Sequence, residues 1–316
     1  MTELPIFSRE AVLDAVGAGE AIERVREAFV RHHHGDWVMP AKVYLPSPPH
    51  GDFRAMPARG GDLAMLKWVS SFPGNRHHPT HPLPTVIGVL IVSDAATSEP
   101  LAILDAGAVT ALRTGAVAAV AAEALAATRS AAVIGCGVNG AWAARCLASA
   151  GFGPGVCHDA DETAAQRLAD ELGWRAGTRA DALACAVITC VTPGHEIVLD
   201  AGDLRPGMHL NMLGADGPGK AEATVGAVAS CALFCDEWAQ AAHGGELTGA
   251  VEAGLVTREQ VTDLGAVLTG EAPGRAGAEA VTLFDSTGLA IQDLAIAAAV
   301  LEAFRAGRVE APLASL

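Results

Sequence analysis

The sequence predicts an α/β protein, with a doubly wound parallel sheet joined to a discontinuous α+β domain. From residue 130 onward, nearly continuous apolar segments alternate with helical patterns, as in parallel strands covered by helices on both faces. Before residue 115, β-rich segments follow one another between clusters of Pro, Gly, Asn and Ser, which is typical of an antiparallel or mixed sheet. A length of 316 residues, of which 51% are hydrophobic, is sufficient for two such domains.

The first part of the chain begins with a helical pattern and continues as strands. Ser8 is placed as an N-cap, and apolar residues recur at three- and four-residue steps through residue 35. The β-rich segments that follow are residues 41–46, 52–57, 63–69, 83–93 and 99–104. An Ala-rich helix expected over 110–127 then leads into the second part, so a domain boundary is expected near residue 115.

The second part alternates between strands and helices. Its expected strands are SAAVIGCG, GVCHD, AVITCVT, GMHLNMLG and CALFCD, and its expected helices are residues 139–150, 162–172 and 258–270. A last helix over about 288–306 follows, and it can pack back on the first part of the chain. We therefore expect residues 1–115 and 296–316 to form one domain, and residues 116–295 to form the other.

Charge and cysteine content restrict the classes of function. The formal net charge of -15 repels nucleic acids and acidic membranes. The most apolar windows, near 115–128 and 294–301, are short and carry or adjoin acidic residues, so we expect buried helices rather than membrane spans. The N-terminus has no secretory signal, and seven cysteines without a CxxC pair indicate a cytoplasmic protein. The histidines at 32–34 and 77–81 lack partners at zinc spacing, so no metal is expected.

The strongest single motif is a glycine-rich turn, GCGVNG, at residues 135–140. It follows an apolar strand and opens a helix, which is the context in which G-x-G-x-x-G binds a dinucleotide. Gly135 permits the tight turn, Gly137 lets the backbone approach a pyrophosphate, and Gly140 lets the helix pack on the sheet. The N-terminus of that helix would face the phosphates. The second part is therefore predicted to be a Rossmann domain.

Asp159 indicates which dinucleotide is bound. It lies 19 residues after Gly140, at the end of the next expected strand. Its carboxylate would accept hydrogen bonds from the ribose hydroxyls and would repel a 2'-phosphate. No Arg occurs within 157–165 to hold such a phosphate. We therefore expect NAD as the cofactor rather than NADP.

Four charged residues stand where a partner is needed. Arg54 and Lys67 lie in expected strands and together could hold a carboxylate, although an exposed strand face would explain either one alone. Arg113 lies in the Ala-rich helix and needs an anion, either a substrate carboxylate or a cofactor phosphate. Asp216 follows an apolar strand, where doubly wound sheets bind ligands, and could exchange protons with an amine or a water. A turn before Gly217 would explain Asp216 equally well.

Eight short motifs are distributed along nearly the whole chain: MPA at 56–58, LK at 66–67, FPGN at 72–75, LPTV at 83–86, ALRTGA at 111–116, GCGVNG at 135–140, LGADGPGKAE at 213–222 and LFDSTGLAIQDLA at 283–295. In these motifs the chain resembles the ornithine cyclodeaminase/mu-crystallin family, and in particular its alanine dehydrogenase-like branch. The resemblance implies a homodimer whose N-terminal domain, completed by the C-terminal helix, binds the substrate and carries an inserted Rossmann domain.

The resemblance also implies roles for individual residues. Asp216 would be the catalytic acid/base, and Lys67 would serve catalysis by binding the substrate carboxylate together with Arg113. Besides the three glycines of the turn, the residues expected to bind the dinucleotide are Thr85, Arg113, Thr114, Val138, Asn139, Asp159, Lys220 and Ser286. Arg54 stands where ornithine cyclodeaminases have an acidic residue that receives the distal amine of ornithine. A guanidinium there would repel that amine and attract a carboxylate.

The expected function is that of an NAD-dependent oxidoreductase acting on the C–N bond of a small amino or imino acid. It would convert an amino acid to a 2-keto acid and ammonia, or catalyse the reverse reduction. Three alternatives remain: a redox-neutral cyclodeaminase, an NADH-dependent reductive coupling or cyclic imine reduction, and a mu-crystallin-like dinucleotide-binding protein. The presence of a proton-transfer carboxylate at Asp216 argues against a pure binding protein.

Overall fold

The computed structural model describes residues 3–217 and 219–315, and the chain divides into two compact units. The first unit runs to Arg113 and resumes at Leu289, and the second is Thr114–Gly288. The expected boundary at 115 differs from this division by two residues, and the boundary at 296 by seven. The larger difference arises because the last helix begins at Ala290 and belongs to the first unit as a whole.

The elements are numbered in chain order. The strands are β1 (Glu3–Phe7), β2 (Val43–Ser47), β3 (Gly51–Gly60), β4 (Leu63–Ser71), β5 (Val86–Asp94), β6 (Pro100–Asp105), β7 (Ala131–Ile134), β8 (Val156–His158), β9 (Arg175–Ala176), β10 (Val187–Cys190), β11 (His209–Met212), β12 (Ala232–Cys235), β13 (Val261–Asp263), β14 (Thr282–Asp285) and β15 (Leu313–Ser315). The α-helices are α1 (Arg9–Ala15), α2 (Ala18–His33), α3 (Ala106–Leu125), α4 (Val138–Ser149), α5 (Glu162–Leu172), α6 (Arg179–Leu183), α7 (Val225–Ala229), α8 (Trp238–Gly244), α9 (Thr248–Glu252), α10 (Leu264–Leu268) and α11 (Ala290–Arg305). Short 3-10 helices are formed by Pro73–His77, Ala201–Asp203 and Arg258–Gln260.

The sheet of the first unit has the strand order β15-β1-β6-β5-β4-β3-β2. β1 and β6 are parallel and the other neighbouring pairs are antiparallel, so the expected antiparallel or mixed sheet is mixed. The pairing of β1 with β15 joins the two ends of the chain, which no local pattern predicts.

The helix expected over 8–35 is instead two helices. Ser8 caps α1 as predicted, its hydroxyl accepting a hydrogen bond from the Ala11 amide at 3.3 Å. Val16 is extended and Gly17 is the N-cap of α2, so the helical ladder is interrupted between them. The apolar periodicity continues across this break because both helices bury one face.

The two faces of the β3–β4–β5 region differ in chemistry. Lys67 pairs with Met56 on one side and Leu90 on the other, and all three side chains are buried on one face. α11 packs against β3 and β4. The alternate residues Leu66 and Trp68 lie on the opposite face and are exposed, as the two-residue period of a strand requires.

The second unit contains a parallel sheet in the order β13-β12-β14-β11-β10-β7-β8-β9. The predicted doubly wound sheet is therefore confirmed. β8 and β9 lie on one side of β7, whereas β10 lies on the other, so the strand order reverses next to β7. Ligands of such sheets bind at the carboxyl ends of the strands at this reversal.

The prediction of one helix over 258–270 is wrong. This stretch is a 3-10 turn, the strand β13 and the short helix α10. Val261 is recruited into the sheet through its pairing with Leu233 of β12. A tertiary contact therefore overrides the local helical pattern.

α3 is long and apolar enough to cross a membrane, judged by length and composition. In the structure, 78% of its most apolar window is buried. The apolar window near 294–301 lies in α11, whose side chains are also largely buried. Both windows are therefore accounted for as core helices, as expected from their length and flanking charges.

Candidate active site

Three cations singled out in the sequence lie in the first unit. Arg54 and Lys67 project from the same face of adjacent strands, because Lys67 pairs with Met56, two residues from Arg54. Arg113 comes from α3. The side chains of Arg54, Lys67 and Arg113 are 11%, 2% and 12% exposed. The exposed-strand explanation of Arg54 and Lys67 is therefore wrong, and a buried cation requires compensating groups.

Lys67 is held from two sides. Its Nζ donates to Oδ1 of Asp293 at 2.9 Å and to Oγ1 of Thr110 at 2.6 Å. Thr110 in turn donates its hydroxyl proton to the carbonyl of Ala106, so its oxygen is oriented to accept. Burial lowers the pKa of Lys67 to about 8, an effect that Asp293 opposes and the neighbouring Arg113 and Arg54 reinforce. Within the part of the chain that the structure describes, two of the three ammonium donors have an acceptor, which leaves one for a ligand.

Arg113 shares the same carboxylate. Its Nε lies 3.5 Å from Oδ1 of Asp293, within ion-pair distance but without a hydrogen bond. Among the residues that the structure describes, neither this Nε nor Oδ2 of Asp293 has a hydrogen-bond partner, and both atoms are buried. Buried polar atoms are normally paired. The cluster therefore has donors and an acceptor available for a bound carboxylate, amine or water.

Arg54 is engaged by its own strand. Its Nε donates to Oδ1 of Asp52 at 2.6 Å, and a second guanidinium nitrogen donates to Oδ2 at 3.3 Å. Its guanidinium also lies 5.3 Å from the centre of the Tyr44 ring. Asp52 was missed in the sequence, although its position two residues from Arg54 on one strand face could have indicated the pair.

The glycine-rich turn has the steric properties that its motif predicts. Gly135 has φ +96°, and a Cβ there would lie 2.6 Å from the carbonyl oxygen of Val191. A Cβ on Gly140 would overlap the carbonyl of Gly135, whereas nothing lies within 4 Å of a Cβ on Gly137. Gly137 is the N-cap of α4 and provides no side-chain cap. The first amides of α4, at Val138 and Asn139, therefore begin an uncapped helix next to open space, which suits a phosphate.

Asp159 lies directly after β8, as expected, and it also holds the turn. Its Oδ2 accepts a hydrogen bond from the Cys136 amide at 2.5 Å, and its Oδ1 accepts one from the Asp161 amide at 2.8 Å. Thr114 contributes a buried hydroxyl that has no hydrogen-bond partner in the described residues. These features fit a dinucleotide in the second unit. Thr85 belongs to the first unit, just before β5.

Asp216 and Lys220 form an ion pair in the segment after β11. Oδ1 of Asp216 accepts a hydrogen bond from Nζ of Lys220 at 2.6 Å, and the Asp216 side chain is 38% exposed. Asp216 is thus accessible for proton exchange, as its proposed role requires. Lys220, expected at the dinucleotide, is engaged with this carboxylate.

A buried glutamate anchors the segment that carries Asp216. The carboxylate of Glu222 accepts hydrogen bonds from the amide of Thr192 at 2.7 Å and from the amide of Gly214 at 2.8 Å. It therefore joins the segments that follow β10 and β11. The amide of Glu222 is itself held by Glu246 at 3.0 Å. Burial raises the pKa of Glu222 and raises that of Glu246 to about 7.

Ser286 follows β14, where it contacts another acidic residue that the sequence did not indicate. Its hydroxyl donates to Oδ2 of Asp236 at 3.2 Å, and the amide of Gly288 donates to the same oxygen at 2.9 Å. Asp236 follows the strand β12 just as Asp159 follows β8. The same rule of an acidic residue after an apolar strand would therefore have found it.

Among the side chains that the structure describes, which do not include that of His77, no group of three or more His, Cys, Asp or Glu is arranged to hold a metal ion. The seven cysteines are free thiols.

The fold and the glycine-rich turn define the second unit as a dinucleotide-binding Rossmann domain. The first unit provides a buried cationic cluster. Residues 6–308 match the model of the ornithine cyclodeaminase/mu-crystallin family, and the chain belongs to this family.

Several members of known name are similar over most of the chain. The alanine dehydrogenase of Archaeoglobus fulgidus is 39% identical over 309 residues, which cover 95% of each chain. The iminosuccinate reductase of Paracoccus denitrificans is 34% identical over 251 residues, covering 75% of this chain and 76% of that protein.

Two solved structures share the whole fold. An archaeal alanine dehydrogenase dimer with bound NAD superimposes with a TM-score of 0.92 at 37% identity, and the match covers 100% of both chains. The iminosuccinate reductase of Paracoccus denitrificans in complex with NAD+ gives a TM-score of 0.89 at 26% identity, again over 100% of both chains.

Proposed function

We propose that the protein is an NAD-dependent oxidoreductase that acts on the C–N bond of a small amino or imino acid. In one direction, an amino acid, NAD+ and water give a 2-keto acid, ammonium, NADH and a proton in the balanced reaction. The observation that carries the proposal is the buried pair of Lys67 and Arg113 around Asp293, on a chain that also has a dinucleotide turn. The names and NAD-bound structures of the relatives confirm the prediction of an NAD-dependent amino or imino acid oxidoreductase.

The residues of the chain have distinct tasks in this reaction. When bound, the nicotinamide accepts or supplies the hydride. Lys67 and Arg113 bind the substrate carboxylate and so fix the Cα–H bond in one orientation. Asp216 takes a proton from the ammonium group and releases it to solvent. It then takes a proton from the water that attacks the C=N carbon and gives it to the departing amine. In the reductive direction, Asp216 returns a proton to the amine.

The engagement of Arg54 by Asp52 favours a substrate with one carboxylate and a small side chain. A substrate with a second carboxylate must displace Asp52 from a two-point ion pair. A substrate with a distal ammonium group, such as ornithine, meets a guanidinium instead of a free acid. We therefore place alanine-like substrates ahead of acidic and basic amino acids.

We further propose that the protein is a homodimer that uses the exposed face of β4 and β5. Leu66 pairs with Ile91 and Trp68 with Val89, and all four side chains are 38–43% exposed. Such an apolar patch is typical of a protein interface. The dimeric state of the archaeal relative supports a second copy of this chain as its partner.

A cytoplasmic location without a membrane or nucleic acid partner completes the proposal. It is supported by the seven free thiols and the net charge of -15.

The proposed function is tested by absorbance at the NADH band with purified protein. The assay uses NAD or NADP with a panel of L-amino acids including alanine, aspartate and ornithine, and ammonia is measured in parallel. The reverse reaction uses NADH, ammonium and the corresponding keto acids. NADH formation with alanine is the expected result.

Each other outcome identifies a different class. Ammonia release without NADH identifies a redox-neutral cyclodeaminase. NADH consumption only with an amino acid and a keto acid together, or with a cyclic imine, identifies a coupling or imine-reducing enzyme. NADH binding without any turnover contradicts the enzyme proposal and identifies a dinucleotide-binding protein.

A further inference from the structure

We propose that Asp293 is a positioning residue that holds Lys67 and Arg113 together and keeps Lys67 protonated for carboxylate binding. The inference rests on the proposed function, since it assigns a task within the same substrate-binding cluster. Asp293 was seen in the sequence only as an acidic residue beside an apolar window, and nothing in that pattern gave it a role.

The geometry places one carboxylate oxygen against both cations. Asp293 lies in the first turn of α11 and is 0% exposed. Its Oδ1 is 2.9 Å from Nζ of Lys67 and 3.5 Å from Nε of Arg113. A carboxylate near a helix N-terminus is further stabilised by the helix dipole. The carboxylate of Asp293 is thus fixed in position, and bulk water does not reach it to screen its charge.

The charges of the cluster balance only with a ligand. Lys67 and Arg113 carry two positive charges, and Asp293 carries one negative charge. The remaining positive charge matches a single bound carboxylate. Without Asp293, two like charges would be buried side by side, and the lysine is the one that can lose its proton.

Among the described residues, Asp293 is the negative group that acts on Lys67. The charged groups that act on it are Asp293 of α11, Arg113 of α3 and Arg54 of β3. Its strand neighbours in register are the uncharged Met56 and Leu90. Asp293 is accordingly the group that opposes deprotonation.

The free oxygen of Asp293 indicates a further contact. Oδ2 is buried and has no hydrogen-bond partner within the described residues. It faces a cluster that already binds a carboxylate in the proposed function. An acceptor in this position suits a proton of the substrate amine or of an ordered water.

The test measures the titration of Lys67 directly. The sequence has only three lysines, Lys42, Lys67 and Lys220, so [13Cε]-lysine labelling gives three resolvable side-chain signals. Lys67 is assigned by its absence in Lys67→Ala. In the wild-type protein, we expect its signal to titrate near pH 8. In Asp293→Asn, which keeps the side-chain shape but removes the charge, we expect the midpoint about one to three pH units lower.

Two further variants separate charge from hydrogen bonding and from misfolding. Thr110→Val removes the neutral acceptor of Lys67 and keeps every charge, so its midpoint should change much less than that of Asp293→Asn. Arg113→Gln removes a like charge, so its midpoint should rise above that of the wild type. This expected rise in the Lys67 midpoint provides a test even if Asp293→Asn does not fold.

An unchanged midpoint in Asp293→Asn would overturn the inference. An equal shift in Thr110→Val would also overturn it, because the effect would then belong to the hydrogen bonds. The titration needs no substrate. The outcome of the titration therefore does not depend on the proposed function. If the proposed function alone failed, the wild-type protein would be inactive while its Lys67 still titrated as expected.

Discussion

The charged residues of the candidate site form ion pairs with specific partners in the structure. Lys67, Arg54 and Asp216 were each recognised in the sequence, and each is paired in the structure with Asp293, Asp52 or Lys220. Asp293 and Asp52 were not singled out as site residues. The partner decides whether a charge is available to a ligand, so it also decides which substitutions change activity and which change specificity.

Asp216→Asn tests the proton-transfer step. Asn keeps an oxygen that can accept a hydrogen bond from Lys220, but it cannot take up a proton at neutral pH. We expect kcat to fall by about 100-fold or more, while NADH affinity measured by fluorescence changes little. Retention of wild-type turnover would remove Asp216 from the mechanism.

Asp52→Asn tests the proposed basis of substrate choice. Loss of the Asp52 charge removes the two-point ion pair that competes with a second substrate carboxylate for the guanidinium of Arg54. We expect the ratio of kcat/KM for aspartate to that for alanine to rise by about tenfold or more. Asp94→Asn, at the last residue of β5, is the matched control. A ratio that stays at the wild-type value in Asp52→Asn would mean that Arg54 does not face the substrate side chain.

Glu246 gives the protein a stability component that depends on pH. Burial raises its folded-state pKa from 4.5 to about 7, so the folded protein binds this proton more tightly than the unfolded chain does. The contribution of Glu246 therefore increases stability as pH falls from about 7 to 4.5, by about 3 kcal/mol in total. In Glu246→Gln, the rise in Tm between pH 7.5 and pH 5 should be smaller than in the wild type. The exposed Glu252→Gln variant should follow the wild-type curve, and a Glu246→Gln curve parallel to it would exclude this origin.

At the scale of elements, the turn after β7 and the end of β8 form one unit. Asp159 accepts a hydrogen bond from the amide of Cys136, which lies between the first two glycines of the turn. The residue expected to recognise the ribose therefore also holds the backbone expected to recognise the pyrophosphate. Sequence spacing predicted the first of these tasks but not the second.

Asp159→Ala should consequently affect both affinity and cofactor choice. We expect KM for NAD to rise by about tenfold or more, because a charge-assisted hydrogen bond and the support of the turn are lost together. The preference for NAD over NADP should also decrease, since the charge that repels a 2'-phosphate is removed. Asp161→Asn is the control, because Asp161 caps α5 instead. An unchanged NAD to NADP ratio in Asp159→Ala would mean that the ribose is recognised elsewhere.

Local patterns predicted elements well where one face of the element is buried in a regular way. The strands β3, β4 and β5 and the helices α4 and α5 lie close to where their apolar patterns predicted them. The strands β1, β9, β14 and β15 were not predicted. The pattern failed where another segment decided the conformation. Gly17 interrupts an otherwise continuous helical period, and β13 is extended because it pairs with β12.

At the scale of the whole molecule, the exposed apolar face of the first sheet is the feature to explain. The matched test replaces the cross-strand neighbours Trp68 and Val89 together by Glu. We expect the wild type to sediment as a dimer and the double variant as a monomer, because burying two carboxylates at an interface is costly. Leu255→Glu, at an exposed apolar residue of the second unit, should remain dimeric. A monomeric wild type at micromolar concentration would contradict the proposed interface.

By itself, the sequence determined the two kinds of sheet, the dinucleotide turn and the charged residues that needed partners. Each of these is expressed within a short window, as a period of apolar residues, a glycine spacing or a charge in an apolar segment. Only the tertiary structure decided the partners: Lys67 meets Asp293 across 226 positions, and Glu222 joins the segments after two strands. β1 likewise pairs with β15 at the other end of the chain. A local window cannot contain such contacts, because the free energy that forms them comes from packing segments that are distant in sequence.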